Sequence, residues 1–265
     1  NYPKAQEYAQ KAIEESTVSR PMNEDEMLNT SKGFNDISKW MWGGALVKEN
    51  DAVQTGIINW VSWQCNETSF GYNPYGPRTL IDASMYSRIS NTDIRKMLWS
   101  PGSYAQVPAW YTAYCVGIND CLNNDGTINA KKDDCRYRAW GKCVSVKFRP
   151  NLGKYNDVNI GAASSYPIMR LEEMYFIMIE ALAHQNADLG KQLLTNFMQS
   201  YRDPNYSTLA TNQEDVIEEI VFQKRVEFWG EGLTFFDIKR LNMSVTRVYT
   251  GTNHVSGQRY NTNGR

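Results

Sequence analysis

The run from Tyr166 to Gln185, YPIMRLEEMYFIMIEALAHQ, is apolar nearly all the way round a helical wheel. Such a helix is stable only when neighbours enclose it on several sides. The rest of the chain must therefore supply packing helices. Pro167 suits a first helical turn, which predicts a helix opening near Tyr166. The next segment carries Leu193, Leu194, Phe197, Met198 and Tyr201 on one stripe, behind a short connector around Asn186, and predicts a helical hairpin. Thr211 with Glu214 three residues on reads as a capping box. The helix it announces carries Val216, Ile217, Ile220, Val221 and Phe228 and should end near Gly230 or Gly232. At the start of the chain, KAQEYAQKAIEES places Ala5, Tyr8, Ala9, Ala12 and Ile13 on one face. That face is built mainly of small residues, so another helix can approach closely. Because the chain begins almost directly on this helix, the expectation is a fragment whose further packing partner lies upstream.

Between about Arg20 and Pro150 the periodicity weakens and turn-forming sequence takes over, as in FGYNPYGPR, WSPGSYAQVP and NNDGTINAKK. This region reads as loops with short helices, one or two of them around Met85, Ile89 and Ile94. Alternation in CVSVKF, Cys143 to Phe148, predicts a strand. The chain holds 8 Trp, 16 Tyr and 9 Phe, and many of these rings sit beside Gly, Pro, Asn or Ser. Rings in loops either complete a core or form flat platforms for sugars and partners. Trp63, Tyr72, Trp110 and Tyr111 are the ligand-binding candidates, drawn from a wider set with Trp40, Trp42, Trp60 and Tyr75.

Twenty-eight basic residues against 29 acidic ones leave a net charge of −1, which argues against a phosphate-backbone partner. No apolar run reaches the roughly 18 residues a membrane-crossing helix requires. Cys65 stands apart from Cys115, Cys121, Cys135 and Cys143, and the four clustered cysteines read either as two local disulfides or as scattered buried thiols. Zinc is poorly supported, since no CxxC pair occurs and the two histidines are distant. Cys121 to Lys132 resembles a calcium loop in its Asp125-Gly126 centre but lacks acidic residues at both ends, so a tight turn is the better reading. No metal site, cofactor site or nucleophile is nominated.

Glu227 and Glu231 are four residues apart and would share a helix face. Paired carboxylates are what glycoside hydrolysis needs, but acids near Lys224, Arg225, Lys239 and Arg240 more often form an ion network. Arg170, Glu172, Glu173 and Glu180 interrupt the buried helix, and buried charges must be paired. Arg202, Arg225 and Lys224 are their expected partners. The rings Phe228, Trp229, Phe235 and Phe236 are expected to pack the same region.

Together these segments resemble the SusD/RagB family. The resemblance is carried by Tyr166-Pro167-Ile168-Met169-Arg170-Leu171-Glu172-Glu173, Ile179-Glu180-Ala181-Leu182-Ala183, Lys224-Arg225-Val226-Glu227-Phe228, Glu231-Gly232 and Phe236-Asp237-Ile238-Lys239-Arg240. Asp93-Ile94-Arg95 and the first helix are similar to family segments too. The resemblance implies a mainly α, tetratricopeptide-like fold of helical pairs. It places the helical core at 3–16 and 166–241, inserts a variable, aromatic-rich loop region at 20–160, and leaves out the family's N-terminal helices. Arg170, Glu173, Glu180, Arg225, Glu227, Glu231, Gly232, Asp237 and Arg240 would be structural motif residues. The implied function is non-catalytic capture of oligosaccharide on the outer membrane, held by a lipid anchor, for import through a SusC-like TonB-dependent transporter. Peptide capture within the same family and a hydrolase using Glu227 and Glu231 are the alternatives.

Overall fold

The computed structural model describes residues 1–29, 31–54, 60–68, 70, 79–100, 124 and 142–263. The chain divides into two compact units. One comprises Asn1–Pro21, Asp82–Arg95 and Met169–Arg265, the other Met22–Ile81 and Lys96–Ile168. The described helices in chain order are α1 (Tyr2–Glu15), α2 (Glu24–Met27), α3 (Asp51–Gln54), α4 (Trp60–Gln64), α5 (Ala83–Arg88), α6 (Val158–Gly161), α7 (Leu171–Ala183), α8 (Ala187–Tyr201), α9 (Gln213–Glu227) and α10 (Leu233–Arg240).

The first unit is built round α7. Helices α1, α8 and α9 all pack on it, which explains why its sequence is apolar on nearly every side. Phe176, Ile179, Ala183, Leu194, Phe197, Met198 and Ile220 form the centre of the core. The stripe read on α8 is the one that is buried. Gly190 of α8 lies against Ala183 of α7, where a Cβ would come within 2.4 Å of the alanine Cβ, so the hairpin closes only over a residue without a side chain. Asn186 caps α8 by accepting from the Leu189 amide at 3.1 Å.

Two expected helix starts are corrected. Tyr166–Met169 is not a first turn but a strand, β2, paired with β1 (Trp42–Gly44). Pro167 disfavours helical backbone at Tyr166, and the helix opens only at Leu171. The cap of α9 is Asn212, one residue beyond Thr211, with its side chain accepting from the Asp215 amide at 3.0 Å. Asparagine at the boundary position satisfies the orphan amide of Asp215, one residue on from the Glu214 amide that the threonine was expected to reach. Helix α9 ends at Glu227, and a turn through Gly230 leads to Gly232 at φ 85°, which starts α10. That left-handed backbone favours glycine. Beyond α10, β3 (Val245–Thr246) pairs antiparallel with β4 (Asn261–Thr262).

In the second unit Val53, Val61, Cys65, Ala162 and Ala163 form a small core, and the Phe34 ring meets Phe148 edge-on at 5.5 Å. Asn66 staples two segments: its amide donates to the carbonyls of Thr79 and Ser145, both at 2.9 Å, while its oxygen accepts from the Thr79 amide. CVSVKF is not a continuous strand: Val144 and Ser145 make isolated bridges to Leu80 and Trp99, Cys143 before them is left-handed at φ 69°, and Lys147 and Phe148 lie in a bend. Its alternation does not separate core from solvent, because Lys147 and Arg149 are as buried as Val146 and Phe148. Lys147 lies over the Phe34 ring at 4.4 Å and Arg149 pairs with Glu67 at 3.3 Å. Cys65 and Cys143 are both buried. Cys115, Cys121, Cys135 and most of the calcium-like loop lie outside the described residues.

Candidate functional site

The motif residues assemble two charge networks in the helical unit. In the first, the Glu227 carboxylate at the end of α9 accepts from three guanidinium groups: Arg202 at 2.8 and 2.9 Å, Arg170 at 3.2 Å and Arg95 at 3.3 Å. Arg170, just before α7, also holds Glu231 through two bonds of 2.9 Å and Glu172 at 3.0 Å. Arg202 reaches Glu172 at 3.1 Å. Arg95 pairs with Asp93 at 2.6 Å and donates to Gln223. Glu227, Arg95, Arg170 and Arg202 are each at most 1% exposed.

Burial alone would push the Glu227 carboxyl up, but the charges and hydrogen bonds of Arg202, then the charges of Arg170 and Arg95, outweigh it and hold the group well below the ordinary carboxylate range. The same logic in reverse raises Arg170: burial pulls it down, and Glu172, Glu231 and Glu227 more than compensate. A general acid must carry its proton at working pH and reach the leaving oxygen. Glu227 does neither, and Glu231 is tied bidentately to Arg170. The geometry suits a brace between α7, α8, α9 and the 93–95 segment.

The second network joins Glu180 of α7, Lys224 of α9 and Asp237 and Arg240 of α10. Lys224 lies 3.3 Å from Glu180 and 2.9 Å from Asp237, and Arg240 grips both acids at 2.5 to 2.8 Å. Glu173 is half-buried and feels both networks. Burial first, then the charge of Glu231, raises its carboxyl, with Arg170 and Lys224 opposing. A raised folded-state value means that ionising Glu173 costs stability as pH climbs above about 4.5. Glu173→Gln is therefore expected to raise the thermal midpoint at pH 7 and to match the wild type below about pH 4, which melts at the two pH values would show.

Arg225 belongs to neither network. One residue on from Lys224 it points about 100° round the helix, into a cleft described below. Phe228 packs as expected at 2% exposure, but Phe235 and Phe236 are 63% and 65% exposed. On the short α10 they form an edge-on pair at 5.8 Å on the outer side, while Asp237 takes the buried position.

Among the aromatic candidates, Trp63 is 57% exposed on α4 and Trp42 is 61% exposed on β1, whereas Trp40 is buried. Tyr72, Trp110 and Tyr111 lie outside the described residues. The sequence reading missed one hub. Asp82 caps α5 through the Ser84 and Met85 amides and accepts from the Tyr249 hydroxyl at 2.8 Å, with the His254 ring at 3.0 Å. No local pattern signals it, because its partners lie far along the chain. Among the described residues no group of His, Cys, Asp and Glu could hold a metal ion, and no helix is long and apolar enough to cross a membrane.

The SusD family model matches residues 82–264. No curated protein matches the chain. A solved structure described as a SusD-like carbohydrate binding protein from Bacteroides vulgatus ATCC 8482 is 21% identical with a TM-score of 0.64, over 99% of this chain and 47% of that one. A SusD superfamily protein from Bacteroides thetaiotaomicron VPI-5482 is 17% identical with a TM-score of 0.58, over 96% of this chain and 49% of that one. The chain thus spans about half the length of these two structures. The segment that holds both charge networks is the one the family model matches, and the chain belongs to the SusD family.

Proposed function

We propose that this chain is the part of a SusD-family protein that captures glycan at the cell surface, without catalysis, for import through a SusC-like TonB-dependent transporter. The anchor would be lipid, as in the family the sequence resembles. Membership of the SusD family supports this reading. So does the description of the Bacteroides vulgatus structure as a carbohydrate binding protein. The observation that carries it furthest is Trp63, a tryptophan ring more than half exposed on a short helix. A sugar's C–H face is apolar and stacks on such a ring, while its hydroxyls bond to polar groups at the rim. Tyr72, Trp110 and Tyr111 are proposed to extend that platform.

Affinity electrophoresis against a panel of soluble polysaccharides and peptides tests it. Retardation by at least one glycan and by no peptide is expected, with Trp63→Ala weakening the glycan about tenfold, or about 1.4 kcal/mol. No retardation by any glycan, or retardation by peptides alone, would overturn the glycan reading. Release of reducing sugar by the wild-type chain would overturn the non-catalytic one.

A further inference from the structure

Arg225 is half-buried on α9 and makes no hydrogen bond or ion pair among the described residues. It lines a cleft of about 650 Å³ with Arg88 of α5. Arg88 lies over the Phe222 ring at 3.8 Å, its nearest carboxylate is Glu219 at 4.0 Å, and its side chain is 58% exposed. Both guanidinium groups therefore keep donors for a further acceptor. Ile217, Val221, Leu241 and Met243 give the cleft an apolar floor. Glu214 and Glu218 line it from the N-terminal turns of α9, are exposed, and bond to neither arginine.

A guanidinium removed from water without a partner is costly, and proteins normally pair it. Burial is the largest influence on Arg225 and lowers its affinity for the proton; Asp82 partly offsets this and Arg88 adds to it. A bound anion would reverse that balance. Guanidinium forks match planar carboxylates in two parallel bonds. The volume lies within the range of small-molecule sites. Two guanidinium groups, two carboxylates and an apolar floor lining one cleft suit a ligand with one anionic group, hydroxyls and an apolar face.

We propose that this cleft binds a carboxylate-bearing sugar, a hexuronate unit of a glycan, with the carboxylate on Arg225 and Arg88 and hydroxyls toward Glu214 and Glu218. The assignment rests on the glycan reading for its ligand class, but it places a second site on the helical unit, apart from Trp63. The acidic rim discriminates against densely sulfated chains, which would bring several negative charges to Glu214 and Glu218.

Isothermal titration of the full chain with a galacturonate oligomer and with its methyl ester, a neutral counterpart of nearly the same shape, separates the possibilities. The acid is expected to bind at least tenfold more tightly than the ester. Arg225→Gln should abolish that preference. Arg225→Lys, which keeps the charge and loses the fork, should retain only part of it, and Trp63→Ala should leave the ratio unchanged. Thermal melts of both Arg225 variants should match or exceed the wild type, since no hydrogen bond or ion pair is lost. Equal binding of acid and ester, an unaltered preference in Arg225→Gln, or complete displacement by an equal concentration of inorganic sulfate would overturn the proposal. Neutral glycan binding with no uronate preference would remove this site and leave the Trp63 platform standing. Uronate binding lost in Arg225→Gln, with no neutral glycan retarded, would support this site and remove the platform.

Discussion

Replacing Glu227 with glutamine is expected to lower the folding stability of the helical unit by about 3–5 kcal/mol, the usual cost of removing one partner from a buried ion pair. The cost belongs at the upper end because one carboxylate serves three guanidinium groups at 2.8 to 3.3 Å. Glutamine keeps the shape and part of the hydrogen bonding but leaves the arginines short of one negative charge in a buried site. Urea unfolding at pH 7 measures the difference, with Glu218→Gln as the exposed control expected to stay within about 0.5 kcal/mol. A loss below about 1 kcal/mol for Glu227→Gln would mean that the network does not brace the unit. The pH dependence follows from the same carboxylate. Its folded-state value lies well below 4.5, so its contribution is complete above about pH 4.5 and is lost as pH falls through the folded value. The acid limb of the wild-type stability curve should accordingly be steeper than that of Glu227→Gln.

Phe176→Ala should cost a similar amount, about 3–5 kcal/mol, for an unrelated reason. The ring is fully buried and meets Phe197 at 5.0 Å and Phe228 at 5.6 Å, edge-on to both. Truncation loses the transfer free energy of the ring and leaves a cavity that three rigid helices cannot collapse to fill. Phe235→Ala, at an exposed ring of α10, should change stability by no more than about 0.5 kcal/mol. Urea midpoints of the two variants, measured side by side, check both values. Equal effects would contradict the burial pattern.

Those two phenylalanines also show how far sequence reasoning reaches. Phe176 sits inside a thirteen-residue helix whose composition leaves it no exposed face, so burial could be read directly. Phe235 and Phe236 lie on an eight-residue helix following a glycine turn, where the direction of the helix, not its periodicity, decides which side meets the core. The same holds for charge. Periodicity and cost of burial pointed to Arg170, Glu172, Glu180, Arg202, Lys224 and Glu227 as members of ion networks. Arg225 was placed with them and instead faces a cleft, because neighbouring residues on a helix point in different directions. The hub at Asp82 was illegible, since Tyr249 and His254 share no pattern with it. Proline chemistry explains the strand at Tyr166, and the double burial of Lys147 and Arg149 explains why alternation in CVSVKF misled.

What the sequence alone determined is the helical hairpin of α7 and α8, the existence of α9 though not its capping residue, the burial of Ala9 on α1 though not of Tyr8, which is 62% exposed, and the resemblance that the family match bears out. All of these rest on local periodicity and short spacings, which act between residues close in the chain. Only the tertiary structure decided which charge meets which, that Glu227 is clamped by arginines from three separate segments, that Gly190 is a contact point, and that Arg225 opens into a cleft. Those outcomes depend on distances between segments far apart in sequence, and the pairing of a buried charge is settled by where the helices come to rest.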